Sequence, residues 1–396
     1  MAEIVRPLAE FGGRRRHAWR LGSVALQIAL VVIVVGLLYA AAVNAARNLA
    51  AAHIASGFRF WDNIAGFDIS QTLIPYSPST STFGDAFWVG LLNTVLVASL
   101  GIVFATILGF TIGIGRLSRN WLVSHLAGGY VETIRNIPLL LQLLFWYNAV
   151  LKTLPELRGS MALPGGGFFN NRGLFLPRPQ FAHNFRYVLI ALLVGIVVSI
   201  LLNIWARRRL DLTGRRFQIR WIAAGLIVLV PYLVFLAAGS PLSFSFPVMG
   251  RFNVQGGVEI LPELAALLLA LSIYTAAFIA EVVRAGLLAV PQGQVEAAQA
   301  LGLMPGTTLR RIVIPQATRV IVPPLTSQYL NLIKNSSLAV AIGYPDLVQV
   351  FTGSVLFITG QAVEIVAITM AVYLIISLFT SLLMNWYAHA ARIAER

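Results

Sequence analysis

The 396 residues are 58% hydrophobic and only 11% charged, with a mean hydropathy of +0.80. A soluble domain carries about 25% charged residues, and no segment here is both long and polar enough to be one. The chain is therefore expected to be an all-α polytopic membrane protein. The formal net charge of +14 is divided among short basic clusters between apolar runs, which argues against nucleic-acid binding. With no cysteine, disulfides, thiolate metal sites and a cysteine nucleophile are excluded. The five histidines, His17, His53, His125, His183 and His389, are scattered, so no metal site is expected.

A hydrocarbon core needs about 20 mostly apolar residues per helix. In chain order, residues 1–20 form a basic cytoplasmic tail with Arg14, Arg15, Arg16 and Arg20. A first span follows over 21–43, too long for the apolar part of a cleaved signal peptide. Residues 44–85 are expected to be an outer, periplasmic loop. Seven further spans are expected over 86–115, 121–151, 187–206, 221–240, 264–281, 320–344 and 365–388, which makes about eight. Residues 389–396 form the second tail. The stretch 152–186, with Pro164-Gly165-Gly166-Gly167 and Asn170-Asn171-Arg172-Gly173, is expected to be a second outer loop. Either outer loop could dock a substrate-delivering protein or simply connect two spans. No internal repeat stands out.

Orientation follows from lysine and arginine, which collect in cytoplasmic loops. With both termini placed inside, 19 of the 29 basic residues lie inside, 8 outside, and Arg135 and Lys334 within spans. The same choice puts residues 290–316 in the cytoplasm.

That segment, VPQGQVEAAQALGLMPGTTLRRIVIPQ, is a moderately polar stretch between two strongly apolar helices. After Pro291 the Gln, Glu, Ala and Leu residues favour a helix. Gly302 is suited to stop it, because a positive φ costs glycine little. Pro305 suits the first turn of a second helix, although Met304 before it has no side chain able to cap. A helix–turn–helix with small alanines on one face could enter a groove on another protein. The local alternative is an ordinary amphipathic loop helix.

The spacing in this loop is specific. Glu296-Ala297-Ala298 is followed by Gly302, then nine residues, then Ile312, Ile314 and Pro315. It resembles the cytoplasmic coupling loop of permease subunits in ATP-binding-cassette importers, with Ile314 where Leu is usual. Three further stretches, 90–119, 130–147 and 274–347, resemble the polar or general L-amino-acid permeases of that group. The resemblance implies a type I importer transmembrane domain over 86–388. Its five-helix core would be interrupted by an insertion at about 152–260 that carries the outer loop and two extra helices. It also implies partners: two copies of a cytoplasmic ATPase that use ATP and Mg, a second homologous permease chain or a second copy of this one, and a periplasmic amino-acid-binding protein. The chain itself would bind no cofactor and hold no catalytic residue. Consistent with that, it contains no G-x-x-x-x-G-K-[ST] phosphate loop.

Charges inside spans are costly, at about 2.5–3.5 kcal/mol near the bilayer centre, and usually face protein or a wet cavity. Glu132 and Arg135 are three apart and so share a helix face. They could pair with each other, or meet the ammonium and carboxylate of a zwitterionic amino acid. Asn136, Lys334 and Asn335 complete the candidate substrate path. Glu281 and Arg284 are expected to form a boundary pair beside the loop. Pro138 and Pro323-Pro324 are expected to break their helices, and Gly101, Gly109, Gly113 and Gly115 to permit close helix packing. The competing reading is an ion- or proton-coupled secondary transporter, in which Glu132, Arg135 and Lys334 would form a relay and the loop would have no purpose.

Overall fold

The computed structural model describes residues 12–51, 57–214, 218–250 and 253–392. The outermost residues of both tails lie outside it. The helices in chain order are α1 (Gly12–Ala51), α2 (Phe83–Gly115), α3 (Trp121–Asn136), α4 (Leu139–Leu144), α5 (Phe185–Thr213), α6 (Ile219–Ala224), α7 (Val230–Ala237), α8 (Pro262–Leu288), α9 (Gln292–Ala300), α10 (Pro305–Thr308), α11 (Ile314–Asn335), α12 (Leu356–Thr359) and α13 (Ala362–Arg392). Among the described residues, five unbroken stretches are long and apolar enough to cross a membrane: α2, α5, residues 219–237, α8 and 362–389. The expected first span lies within α1.

Two expected spans differ from a simple helix. Residues 121–151 form α3, then α4 continued by π-helical turns to Leu151, with a bend of 103° between the two halves. The break is at Pro138, which has no N–H to donate and disfavours helical geometry in the residue before it. Ile137 is accordingly extended, with φ −98° and ψ 125°. The carbonyls freed at the break are not left bare, because the Gln142 side-chain amide donates to Ile134 O at 2.9 Å and Ile137 O at 3.0 Å. The expected span at 320–344 is instead α11, which starts at Ile314 and gives way at Ser336 to a 3-10 turn. Gln316, Arg319, Gln328, Asn331 and Lys334 make it amphipathic rather than uniformly apolar. Pro323 and Pro324 do not break it; they sit inside one continuous helix whose Ile321, Val322 and Leu325 are buried.

The chain divides into two compact units, residues 1–94 with 345–379 and residues 95–344 with 380–396. The first contains an aromatic cluster in which Phe351 lies 5.3 Å from Phe87 and 6.5 Å from Phe60, centroid to centroid. Much of the expected 44–85 loop is thus packed: Phe60, Ala65 and Ile69 are core residues, and α1 itself runs on to Ala51. The start of α2 carries a reciprocal cap, with Asp85 accepting from Thr82 N at 2.8 Å and Thr82 Oγ1 accepting from Asp85 N at 3.2 Å. Asn93 donates to Gln71 O and Pro345 O, both at 2.9 Å, and Thr94 Oγ1 accepts from Leu347 N at 2.9 Å. Asp346 is fully buried beside them. Its carboxylate accepts from Gln349 N at 2.8 Å and Tyr373 Oη at 3.2 Å.

The second unit is built on α8. Its buried face alternates small and branched residues: Ala266, Leu267, Ala270, Leu271, Ala276, Ala277, Ile279, Ala280 and Val283. Small residues let helix backbones approach closely. A Cβ on Gly109 of α2 would lie 2.5 Å from Ile279 Cγ2, and one on Gly113 would lie 2.7 Å from Ala280 O. On the other side Gly286 meets Ile321 of α11, again with no room for a Cβ. Two tyrosines anchor the helices further: Tyr130 Oη donates to Ile273 O at 2.6 Å, and Tyr329 Oη lies 2.8 Å from Thr106 Oγ1. The expected loop at 152–186 is largely ordered into strands. β1 (Met161–Leu163), β2 (Gly167–Asn170) and β3 (Gly173–Leu176) pair in turn; β4 (Arg178–Phe181) pairs with β5 (Leu242–Ser245), β6 (Val248–Met249) with β7 (Val254–Gln255), and β3 also with β8 (Val258–Ile260). The chain remains predominantly helical.

Burial raises the Asp346 pKa from its ordinary 3.8 to about 7. A carboxyl with a raised folded-state pKa stabilises the fold fully below pH 3.8, and that contribution is lost as pH rises through about 7. Asp346→Asn, which mimics the protonated acid, should match the wild type in thermal stability at about pH 3.5 and exceed it by a growing margin up to about pH 8. Unfolding scans of both proteins at the two pH values check this.

Candidate functional site

The loop after α8 forms a compact helix–turn–helix. Pro291 precedes α9, which carries Glu296, Ala297 and Ala298. The helix stops at Gly302, whose φ is +71°. Leu303 N donates to Ala298 O at 3.0 Å and Gly302 N to Gln299 O at 2.9 Å, the paired bonds of a Schellman ending. Met304 takes the N-cap position of α10 in an extended conformation and makes no side-chain cap bond. The turn is fixed instead by Thr307 N and Thr308 N, which donate to Met304 O at 2.9 and 3.0 Å. α10 then runs through π-helical turns, Leu309–Val313, directly into α11. Ile312 sits in those turns and Ile314 and Pro315 in the first turn of α11, so the second half of the loop is continuous with a helix of the second unit.

Burial separates two faces. Ala298 is 1% exposed and Thr308 is buried, which fixes α9 against the second helix. Glu296 and Ala297 are exposed, and Leu301 and Met304 are 80% and 74% exposed. Large apolar side chains held out beside one carboxylate are suited to a protein partner rather than to solvent.

Where α2 meets α8, near the same end of α8, three charges cluster. Glu281 accepts from Arg284 Nη2 at 2.5 Å and forms an ion pair with Arg116, just beyond the last residue of α2. The Glu281–Arg284 pair was expected from the sequence; the contribution of Arg116, 165 positions away, was not legible in any local spacing. Beside this cluster lies a cavity of about 440 Å³ lined by Arg116, Val131, Glu132, Arg135, Asn136, Phe278 and Glu281. Glu132 and Arg135 both face it, but among the described residues they form no ion pair with each other. The Arg135 guanidinium lies over the Phe278 ring, 5.0 Å from its centroid, a cation–π contact that competes with the carboxylate for it. Asn136 donates to Glu132 O at 2.7 Å and so closes the end of α3. Lys334 and Asn335 end α11 and do not line this cavity. Among the described residues no three His, Asp or Glu side chains converge as a metal site would need.

The family model described as "Binding-protein-dependent transport system inner membrane component" matches residues 101–393. The chain is 53% identical over 374 residues to the general L-amino acid transport system permease protein AapQ of Rhizobium johnstonii, covering 94% of this chain and 93% of that one. It is 52% identical to the putative amino-acid ABC transporter permease protein YhdX of Escherichia coli, over 93% of this chain and 94% of that one. It is 41% identical to the glutamate/glutamine/aspartate/asparagine transport system permease protein BztB of Rhodobacter capsulatus, over 95% of both chains.

Glu281 holds two guanidiniums, so its removal should leave both without their shared carboxylate. Glu281→Ala is expected to lower the thermal stability of the purified protein, and adding Arg116→Ala should cost less than in the wild type. A double-mutant cycle should give a coupling energy of about 1 kcal/mol. A value near zero would mean that the pair does not hold α2 to α8.

Proposed function

The chain belongs to the family of binding-protein-dependent transport system inner membrane components, and we propose that it is the permease subunit of an ATP-driven importer of L-amino acids. The observation that carries the driving step is the loop at 290–316, an exposed helix–turn–helix continuous with α11 and joined directly to α8. In this reading, partner ATPases receive the loop through Glu296, Ala297 and Ala298, with Gly302 setting the angle of the turn and Ile312, Ile314 and Pro315 fixing the second helix. ATP and Mg are bound by those partners. Closure of the two ATPases moves the loops of two permease chains, this one and a related partner, and the core switches from inward- to outward-facing. Hydrolysis resets it. A periplasmic amino-acid-binding protein delivers the cargo. The chain works by mechanical coupling and performs no chemistry itself.

Two features support an amino-acid cargo. Three relatives similar to this chain over nearly its whole length carry amino-acid names. The cavity beside α3 presents a carboxylate, Glu132, and a guanidinium, Arg135, that do not neutralise each other. A zwitterion offers the complementary pair. The secondary-transporter reading is displaced, because a component of a binding-protein-dependent system does not act as a self-contained ion-coupled carrier.

Gly302→Asp tests the coupling role. No neighbouring atom lies within 4 Å of a Cβ at this position, so the protein should insert and fold, with backbone strain of about 1–2 kcal/mol confined to the turn. ATP-dependent amino-acid uptake in membrane vesicles should fall at least about tenfold, equivalent to about 1.4 kcal/mol at the contact. Uptake at the wild-type rate would remove the loop from the mechanism.

A further inference from the structure

The two helices of the 152–260 insertion are left without a role by the transport mechanism. α5 and the stretch 219–237 approach closely at Gly195, where a Cβ would lie 2.3 Å from Leu226 O. On the loop side of that contact they enclose an open groove of about 1060 Å³. Its walls change character together. Near the contact, Ile196 and Ile200 on α5 face Ile227 and Ala223 across the groove. Toward the loop, Asn203 and Arg207 on α5 face Arg220 and Gln218. Both arginines are exposed, and among the described residues neither forms an ion pair. No acidic residue lines the groove; Asp211, the nearest in sequence, is outside it.

The depth of this change is marked independently by two tryptophans. Trp205 is 48% exposed and Trp221, which lines the groove mouth, is 80% exposed. Exposed tryptophan on membrane helices collects at the headgroup level, so the two arginines lie where lipid phosphates lie. The small residues Ser199 and Ala206 also line the groove and are themselves buried.

We propose that this groove is a binding site for one anionic glycerophospholipid, its phosphate held by Arg207 and Arg220 and an acyl chain laid along Ile196, Ile200 and Ile227. The guanidinium fork matches phosphate oxygens, and basic pockets between membrane helices suit acidic headgroups. The apolar-to-cationic order of both walls matches the order of tail and headgroup within one lipid molecule. A bound lipid would fill the space between the helices and fix the angle at which the insertion leaves the core.

The test uses the full-length chain with whatever subunits co-purify with it. Native mass spectrometry would follow titration with phosphatidylglycerol and, separately, phosphatidylcholine. The wild type should retain one phosphatidylglycerol that the Arg207→Ala/Arg220→Ala variant binds at least about tenfold more weakly. Arg207→Lys/Arg220→Lys should keep most of the binding, and phosphatidylcholine should bind all three alike and weakly. Equal retention of phosphatidylglycerol by the wild type and the alanine variant would overturn the proposal. So would a wild type without preference between the two lipids. Loss from the alanine variant of a co-purifying protein chain, with lipid counts unchanged, would instead make the groove a subunit interface and also overturn it.

Discussion

The close approach of α8 to its neighbours is the constraint on which the rest of the second unit depends. At Gly109, Gly113 and Gly286 there is no room for even one added carbon. Interiors this dense do not deform continuously; helices in such contact move together or slide by discrete steps. The loop at 290–316 is the covalent link between the end of α8 and the start of α11. A force applied there reaches both helices at once, and through Gly109 and Gly113 reaches α2 as well. The Glu281 cluster adds a charged clamp between α2 and α8 near the same end.

The cavity beside α3 follows from the same packing. α3 must bend away at Pro138, and Gln142 satisfies the carbonyls that the bend exposes. The last turn of α3 is thereby left near α8, and among the described residues Glu132 and Arg135 form no ion pair with each other. Phe278, supplied by α8, takes the guanidinium that spacing alone would have given to Glu132. Glu132, Arg135 and Phe278 all line the cavity that results.

Features governed by neighbouring residues were legible in the sequence. The helix–turn–helix at 290–316 was, because its geometry is set by Gly302, Pro305 and good helix formers within a few positions. So were the break at Pro138 and the failure of Met304 to cap. What could not be read came from distant partners. The Arg116–Glu281 contact spans 165 positions. The strand pairing of β3 with β8 joins Leu174 to Ile260, and no local periodicity announces it. Pro323 and Pro324 show a local rule overridden by packing: the burial of Ile321, Val322 and Leu325 keeps α11 continuous despite two missing donors. The extent of the seventh span was misjudged for a related reason. An amphipathic helix buried on one side does not need the uniform apolarity of a lipid-facing one.

If an ATPase drives α8 and α11 through the exposed face of the 290–316 loop, Ala297 lies within cross-linking reach of that ATPase. The natural chain contains no cysteine, so one introduced at Ala297 is chemically unique in it. Membranes carrying Ala297→Cys would be labelled with a benzophenone maleimide and illuminated, so that the second bond forms to any C–H within reach, with a cysteine at the exposed Phe181 of β4 as the control. The expected result is a cross-linked product between this chain and an ATPase subunit from position 297, altered in yield by ATP, and none from position 181. Co-purification of an ATPase without any cross-link at 297, or equal cross-linking from both positions, would contradict it.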